Sequence, residues 1–136
     1  MSYMDRDWDF ANSISYSYNA FAGLTDGKIT KEEREQMSVC LSEWLTGNNY
    51  GYDLSNDEIS SLIDKTLDWF HTDINEEGED VIRGVCSCTA KVSRNNLSID
   101  DCVALADDLI RIARADGHFH ENEKAWITEM ASIMGF

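Results

Sequence analysis

DGKITKEER, at residues 26–34, returns as DGHFHENEK, at residues 116–124, so the two copies are separated by a constant offset of 90 residues. Each copy reads Asp-Gly, any residue, an apolar residue, three more residues, then Glu and a basic residue. Each copy follows one amphipathic apolar run and begins another, a pattern that predicts a helix-turn-helix corner. The repeat therefore predicts a duplicated helical fold whose corners carry one acid before the turn and one acid in the next helix.

Outward from the corners, helix-start and helix-stop signals divide the chain into about six helices. Thr30-x-x-Glu33 and Ser55-x-x-Glu58 are capping boxes, in which a hydroxyl accepts a hydrogen bond from a backbone N–H and the carboxylate reaches back to the N-cap. The predicted helices run from 7 to 24, 30 to 46, 55 to 70, 73 to 94 and 98 to 113, and a last helix ends before Gly135. Ser98-x-x-Asp101 is the predicted start of the fifth helix.

Two of these helices carry more specific expectations. The first is expected to stop at Gly23 and the Thr25-Asp26-Gly27 triplet, since glycine suits a helix end. The fourth is expected to begin with a cap at Asp73-x-x-Glu76. Its predicted inward residues are Ile74, Val81, Ile82, Val85, Cys88, Thr89 and Val92.

Length and composition favour a single all-α domain over residues 1–136. The chain has no proline and eight glycines, and no run of alternating strand residues stands out. The predicted architecture is a compact bundle in which repeat halves, approximately 8–46 and 98–136, are related by a pseudo-two-fold axis. Helices within 55–94 link the two halves.

The net charge of −15 disfavours nucleic acids and favours cations or a basic protein partner. No segment is apolar enough for a membrane span or a secretory signal, so we expect a cytoplasmic protein. In that compartment the four cysteines are expected to be reduced, buried small hydrophobic residues. No nucleophile elbow, phosphate loop or dinucleotide motif occurs, so we do not expect an enzyme.

The simplest interpretation of each corner is structural. Asp-Gly is then a turn, and the later Glu is a helix-start residue favoured by the helix dipole. Each corner also resembles the second half of an EF-hand calcium loop, but apolar residues and Arg114 stand where the first half needs oxygen ligands. A metal would therefore need ligands from more than one corner.

If the two halves pack about a pseudo-two-fold axis, the acids of both corners converge. The converging set is Asp26, Glu33, Asp116 and Glu123. Two like charges about 4 Å apart repel by about 4 kcal/mol at an effective dielectric of about 20, so this cluster would require a cation, a proton or a basic partner. Oxygen ligands suit calcium, magnesium or manganese, whereas recruiting His118 or His120 would shift the preference toward manganese, iron or zinc.

Other acids have a simpler interpretation. The predicted outward side of the fifth helix carries four of them, which we interpret as a solvated face. They are Asp100, Asp101, Asp107 and Asp108.

At the second corner the sequence resembles the tellurite-resistance TerB-like family. The family pattern is an amphipathic helix ending in Ala-Asp-Gly, a short turn and a Glu seven residues after the Asp, and Ala115-Asp116-Gly117 with Glu123 matches it. The first copy has Thr25 in place of the alanine. The resemblance implies a compact helical domain of duplicated halves whose corner acids are metal ligands.

The resemblance also implies an association with tellurite and other chemical stress, and related domains occur fused to DnaJ-type co-chaperones near membranes. Two functions stay open. One is a non-enzymatic stress protein that binds calcium, magnesium, manganese or zinc, and the other is an acidic adaptor that docks a basic protein without metal. Peripheral association with a membrane and the oligomeric state also stay open.

Overall fold

The computed structural model describes residues 6–136, with the side chains of Asp26 and Asn49 outside that description. Within this range it contains six α-helices and no strand, which confirms the predicted all-α class. The helices are α1 (Phe10–Asp26), α2 (Lys31–Leu45), α3 (Asn56–Glu76), α4 (Glu79–Asn96), α5 (Ile99–Arg114) and α6 (Glu121–Met134), with a 3₁₀ turn at Asn49–Gly51.

The predicted N-caps of α2, α3 and α5 are present. The hydroxyls of Thr30, Ser55 and Ser98 each accept a hydrogen bond from the backbone N–H three residues later. These bonds satisfy donors that a helix start leaves without an intrahelical partner, so short polar side chains determine where three of the helices begin.

Gly23 lies inside α1 and does not end it, contrary to the prediction. The helix continues to Asp26 and ends at Gly27, which confirms the predicted stop at the Thr25-Asp26-Gly27 triplet, and the φ of 77° at Gly27 suits glycine. A Cβ atom at Gly23 would lie 2.6 Å from Cε2 of Phe70. Glycine at this position therefore allows α1 to pack closely against α3.

The predicted helix start at Asp73-x-x-Glu76 is wrong, because α3 continues to Glu76 and α4 begins only after Gly78. Asp73 is buried inside α3, where both carboxylate oxygens accept hydrogen bonds of 2.8 Å from Arg6. Tyr16 donates a third bond of 2.6 Å to the same carboxylate. Asp73 thus anchors the segment before α1 to the end of α3.

The buried face of α4 also differs from the prediction. The residues that face the core are Ile82, Cys86, Ala90 and Ser93. Most of the predicted inward stripe is half-buried or exposed, and Val92 is 59% exposed. The stripe that begins with Ile82 packs against α1 and α6. The second apolar stripe of α4, which includes Val92, is therefore left at the surface.

Asp108 does not belong to a solvated face, although Asp100 and Asp107 do. It is 4% exposed. Its Oδ2 accepts hydrogen bonds from Tyr18 at 2.5 Å and from Nε1 of Trp44 at 2.7 Å. These two donors come from α1 and α2, and Nη1 of Arg111 lies 3.4 Å from the other oxygen, Oδ1, so the carboxylate has partners inside the bundle.

The four cysteines are free thiols, and three of them are buried as predicted. The exception is Cys88, which lies on the exposed stripe of α4. Burial raises the pKa of Cys40 and the pKa of Cys86 to about 12, so both stay protonated at neutral pH. Within the described residues, no helix combines the length and the apolar character needed to cross a membrane.

Candidate metal centre

The first corner joins α1 to α2 around Gly27. The N–H of Gly27 donates a hydrogen bond of 3.0 Å to the carbonyl of Gly23, which closes the end of α1. Glu33 then lies one turn into α2, and its Oε1 accepts a hydrogen bond of 2.9 Å from the N–H of Thr30. The side chain of Asp26, the other predicted acid here, lies outside the described residues.

The second corner joins α5 to α6. Here α5 ends at Arg114, before Asp116, whereas α1 includes Asp26. The N–H of Gly117 donates a hydrogen bond of 3.0 Å to the carbonyl three residues back, that of Arg114. Gly117 has a φ of 86°, close to that of Gly27. The Oε1 of Glu123 accepts a hydrogen bond of 2.8 Å from the N–H of His120, as Glu33 does from Thr30. The two glutamates therefore make the same backbone bond at positions 90 residues apart.

Glu33 and Glu123 are both 0% exposed. Glu58 makes the same bond to the N–H of Ser55 at 3.0 Å, but it lies at the surface. That backbone bond lowers the pKa of Glu58, because it favours the ionised carboxylate. Burial of a carboxylate has a desolvation cost that surface capping avoids, which distinguishes the corner glutamates from an ordinary capping residue.

Asp116 and the two histidines lie nearer the surface. Asp116 is half-buried, and its Oδ1 accepts a hydrogen bond of 3.0 Å from the N–H of His118. His118 and His120 are exposed, and their rings stack with centroids 5.8 Å apart. Phe119 lies between them in the chain and packs against the core. The turn thus directs the apolar residue inward and both imidazoles outward.

Within the described part of the chain, no group of three or more His, Cys, Asp or Glu side chains is arranged to hold a metal ion. Glu33, Asp116 and Glu123 therefore do not form a three-ligand site by themselves. A metal held by the corner acids would therefore need Asp26, waters or other groups as well. The side chain of Asp26 is outside the description, so metal binding by the corner acids stays a prediction.

The sequence did not indicate the capping role of Glu123. His120-x-x-Glu123 has the same spacing as Thr30-x-x-Glu33, but histidine lacks the short hydroxyl that makes a capping box recognisable. Only the spacing from the Asp-Gly turn could have indicated that both glutamates reach back to the helix start.

Comparison with family models shows which family the chain belongs to. A family model described as tellurite resistance protein TerB matches residues 20–136. The chain belongs to the TerB family. Neither the curated proteins nor the solved structures include a significant match. The TerB match contains both corners and all six helices except the first ten residues of α1.

Proposed function

We propose that this TerB-family protein is a non-enzymatic, stress-associated protein that binds a divalent cation through the acids of its two helix corners. The proposed ligands are Asp26, Glu33, Asp116 and Glu123. The observation that carries the proposal is the complete burial of Glu33 and Glu123 at corresponding positions of the two corners. Since Glu58 caps its helix at the surface, capping alone does not require this burial.

The chemistry of the donor set fits a hard cation. Carboxylate oxygens are preferred ligands of calcium, magnesium and manganese, and zinc also accepts them. A bound ion would supply positive charge where the fold buries two glutamates. Recruitment of His118 or His120 would favour manganese or zinc, and waters would complete the coordination.

A metal titration followed by thermal unfolding tests this function. Calcium, magnesium, manganese and zinc are each added to chelator-treated protein. An ion that binds only the folded state stabilises it by about 2.7 kcal/mol at a hundred-fold excess over Kd. For a domain of this size, we expect a rise in Tm of several degrees. The proposal is wrong if none of the four ions raises the Tm.

The double variant Asp116→Asn, Glu123→Gln tests the ligands. It removes two charges but keeps the shape and an acceptor oxygen for the capping bond. We expect it to lose the metal-induced rise in Tm, while its metal-free Tm stays equal or rises because repulsion is relieved. Glu58→Gln is the matched control, since it neutralises a capping glutamate outside the corners and should keep the full metal response.

An acidic adaptor that binds a basic protein without metal is the second candidate, and the net charge of −15 favours it. Elemental analysis of protein purified without chelator, combined with pull-down at low and high salt, separates the two functions. A basic partner lost at high salt, with no metal present, favours the adaptor. The reason is that salt screens exposed charge pairs over about 8 Å at physiological ionic strength.

A further inference from the structure

An apolar groove of about 850 Å³ runs along the exposed side of α4. Neither corner contributes a residue to it, so it is separate from the proposed metal ligands. One wall is the second apolar stripe of α4, which includes Val81, Val85, Cys88 and Val92. These residues recur every three or four positions, and with Asn96 the stripe extends for about 22 Å along the helix.

This stripe has the spacing of a buried helix face, yet the described chain leaves it uncovered. Val92 is 59% exposed, and Cys88 is the one exposed thiol among the four cysteines. An apolar stripe of this length at the surface is typical of a surface that binds another molecule.

Gly84 provides independent support. It lies in the middle of α4 and lines the groove, although glycine weakens a helix relative to alanine. A Cβ atom built at Gly84 would meet no atom within 4 Å, whereas one at Gly23 would collide with Phe70. The packing of the described chain therefore does not require glycine here, and the absence of a side chain leaves this part of the groove open to another molecule.

Outside α4, the lining includes the aromatic residues Trp8, Phe10 and Tyr50, which form the other wall, and Leu97 lines the groove at the C-terminal end of α4. The ring of Tyr50 lies 5.4 Å from that of Phe10, and its hydroxyl donates a hydrogen bond of 2.5 Å to Asp101. These contacts hold the wall in place before anything binds, which reduces the ordering cost of association. Trp8 and Phe10 precede residue 20, so this wall lies partly outside the TerB match.

We propose that the groove binds an amphipathic helix of a basic protein partner. A two-walled apolar groove of this length accommodates a helix with apolar residues at positions i, i+4 and i+7. Asp7 and Asp80 are exposed beside the lining residues Trp8 and Val81, and Asp101 lies at Tyr50. Lys91 is an exposed base beside the lining residue Val92, and the acids outnumber it at the groove. These acids and the net charge of −15 favour lysine and arginine on the flanks of the bound helix.

A second copy of the chain fits less well. Two copies facing each other through this surface would oppose one concave groove to another, which leaves a void between them. Each copy also carries the same net charge of −15, so they repel. Both shape and charge therefore favour a different, basic protein.

The test uses a synthetic amphipathic helix of leucine and lysine, about 15 residues long, with a fluorescent label for anisotropy measurements on the full chain. Two control peptides are an analogue with glutamate in place of lysine and a scrambled peptide of the same composition. We expect the lysine peptide to bind at least roughly tenfold more tightly than either control, and more weakly at high salt.

Gly84→Leu places a side chain in the open space of the groove without a clash in the described chain, and it raises the helix propensity of α4. The variant should therefore fold. We expect it to weaken binding of the lysine peptide at least roughly tenfold. Thr128→Leu, at an exposed position of α6, is the matched control and should bind like the wild type.

Four outcomes would overturn the proposal. The first is unchanged peptide binding by Gly84→Leu, and the second is equal binding of the glutamate peptide. The third is a wild-type dimer, seen by sedimentation equilibrium, that Gly84→Leu converts to a monomer. The fourth is much tighter peptide binding by Tyr3→Ser, Met4→Ser, which would assign the groove to the chain's own N-terminal residues.

Discussion

Tyr18 donates a hydrogen bond of 2.5 Å to Asp108, and the two residues are 90 positions apart in the chain. The same offset separates the two corners. Residues related by a two-fold axis touch each other only if they lie close to that axis. This contact is therefore compatible with a pseudo-two-fold axis that passes close to Tyr18 and Asp108, and the relation between the halves itself stays a prediction.

Asp108→Ala should strongly destabilise the bundle. It removes the acceptor for two buried donors, the hydroxyl of Tyr18 and the indole N–H of Trp44. We expect a loss of about 2–5 kcal/mol in the free energy of unfolding, measured by urea denaturation. Asp108→Asn keeps an acceptor oxygen and should lose clearly less. Equal losses in the two variants would contradict this account.

The stability difference between the wild type and Asp108→Asn should depend on pH. Burial raises the pKa of Asp108 above its ordinary value of 3.8. Its contribution to stability is therefore fully present below the unfolded pKa and is lost as pH rises through the folded pKa. We expect the asparagine variant to gain relative to the wild type as pH rises from about 4. Urea denaturation at several pH values measures this gain, and a constant difference would show that Asp108 is not the titrating group.

Arg6→Ala should cost about 3–5 kcal/mol, because it leaves the buried carboxylate of Asp73 without its cation. Adding Asp73→Asn should recover part of the loss. Arg34→Ala is the matched control, since Arg34 also lies 2.8 Å from an aspartate, Asp64, but that pair is near the surface. Chemical denaturation should show a loss below about 1 kcal/mol for the control. Similar losses in both arginine variants would argue against a special role of the buried pair.

Two glycine-to-alanine changes inside helices should have opposite effects. Gly23→Ala forces a methyl group against the ring of Phe70 and should destabilise by about 1–3 kcal/mol. Gly84→Ala meets open space and should stabilise by up to about 1 kcal/mol. Thermal unfolding compares them, and adding Phe70→Leu to Gly23→Ala should restore part of the lost stability. If Gly23→Ala leaves the Tm unchanged, α1 and α3 can move apart enough to admit the methyl group without a loss of stability.

Local signals in the sequence predicted much of the fold. Hydroxyl N-caps at Thr30, Ser55 and Ser98 act within one helical turn, so their spacing alone located three helix starts. The repeated corner likewise depends on residues that are neighbours in the chain. The all-α class and the TerB resemblance followed from these short-range features.

The errors arose where distant residues decide the outcome. Asp73 has the spacing of a helix cap, but Arg6, 67 positions away, holds it inside a helix. Asp108 has the spacing of a solvated acid, but donors from α1 and α2 stabilise it in the core. On α4, which carries two apolar stripes, periodicity could not show which stripe the neighbouring helices would cover.

The pair between Arg6 and Asp73 also makes the segment before α1 part of a larger cooperative unit. If this segment detached, a carboxylate buried at the end of α3 would lose its guanidinium, and Trp8 would leave the ring of Trp69, 5.3 Å away. Fraying of such a segment therefore carries a penalty that ordinary chain ends lack. Its amide protons and those of the last turn of α3 should exchange with solvent through one shared opening event.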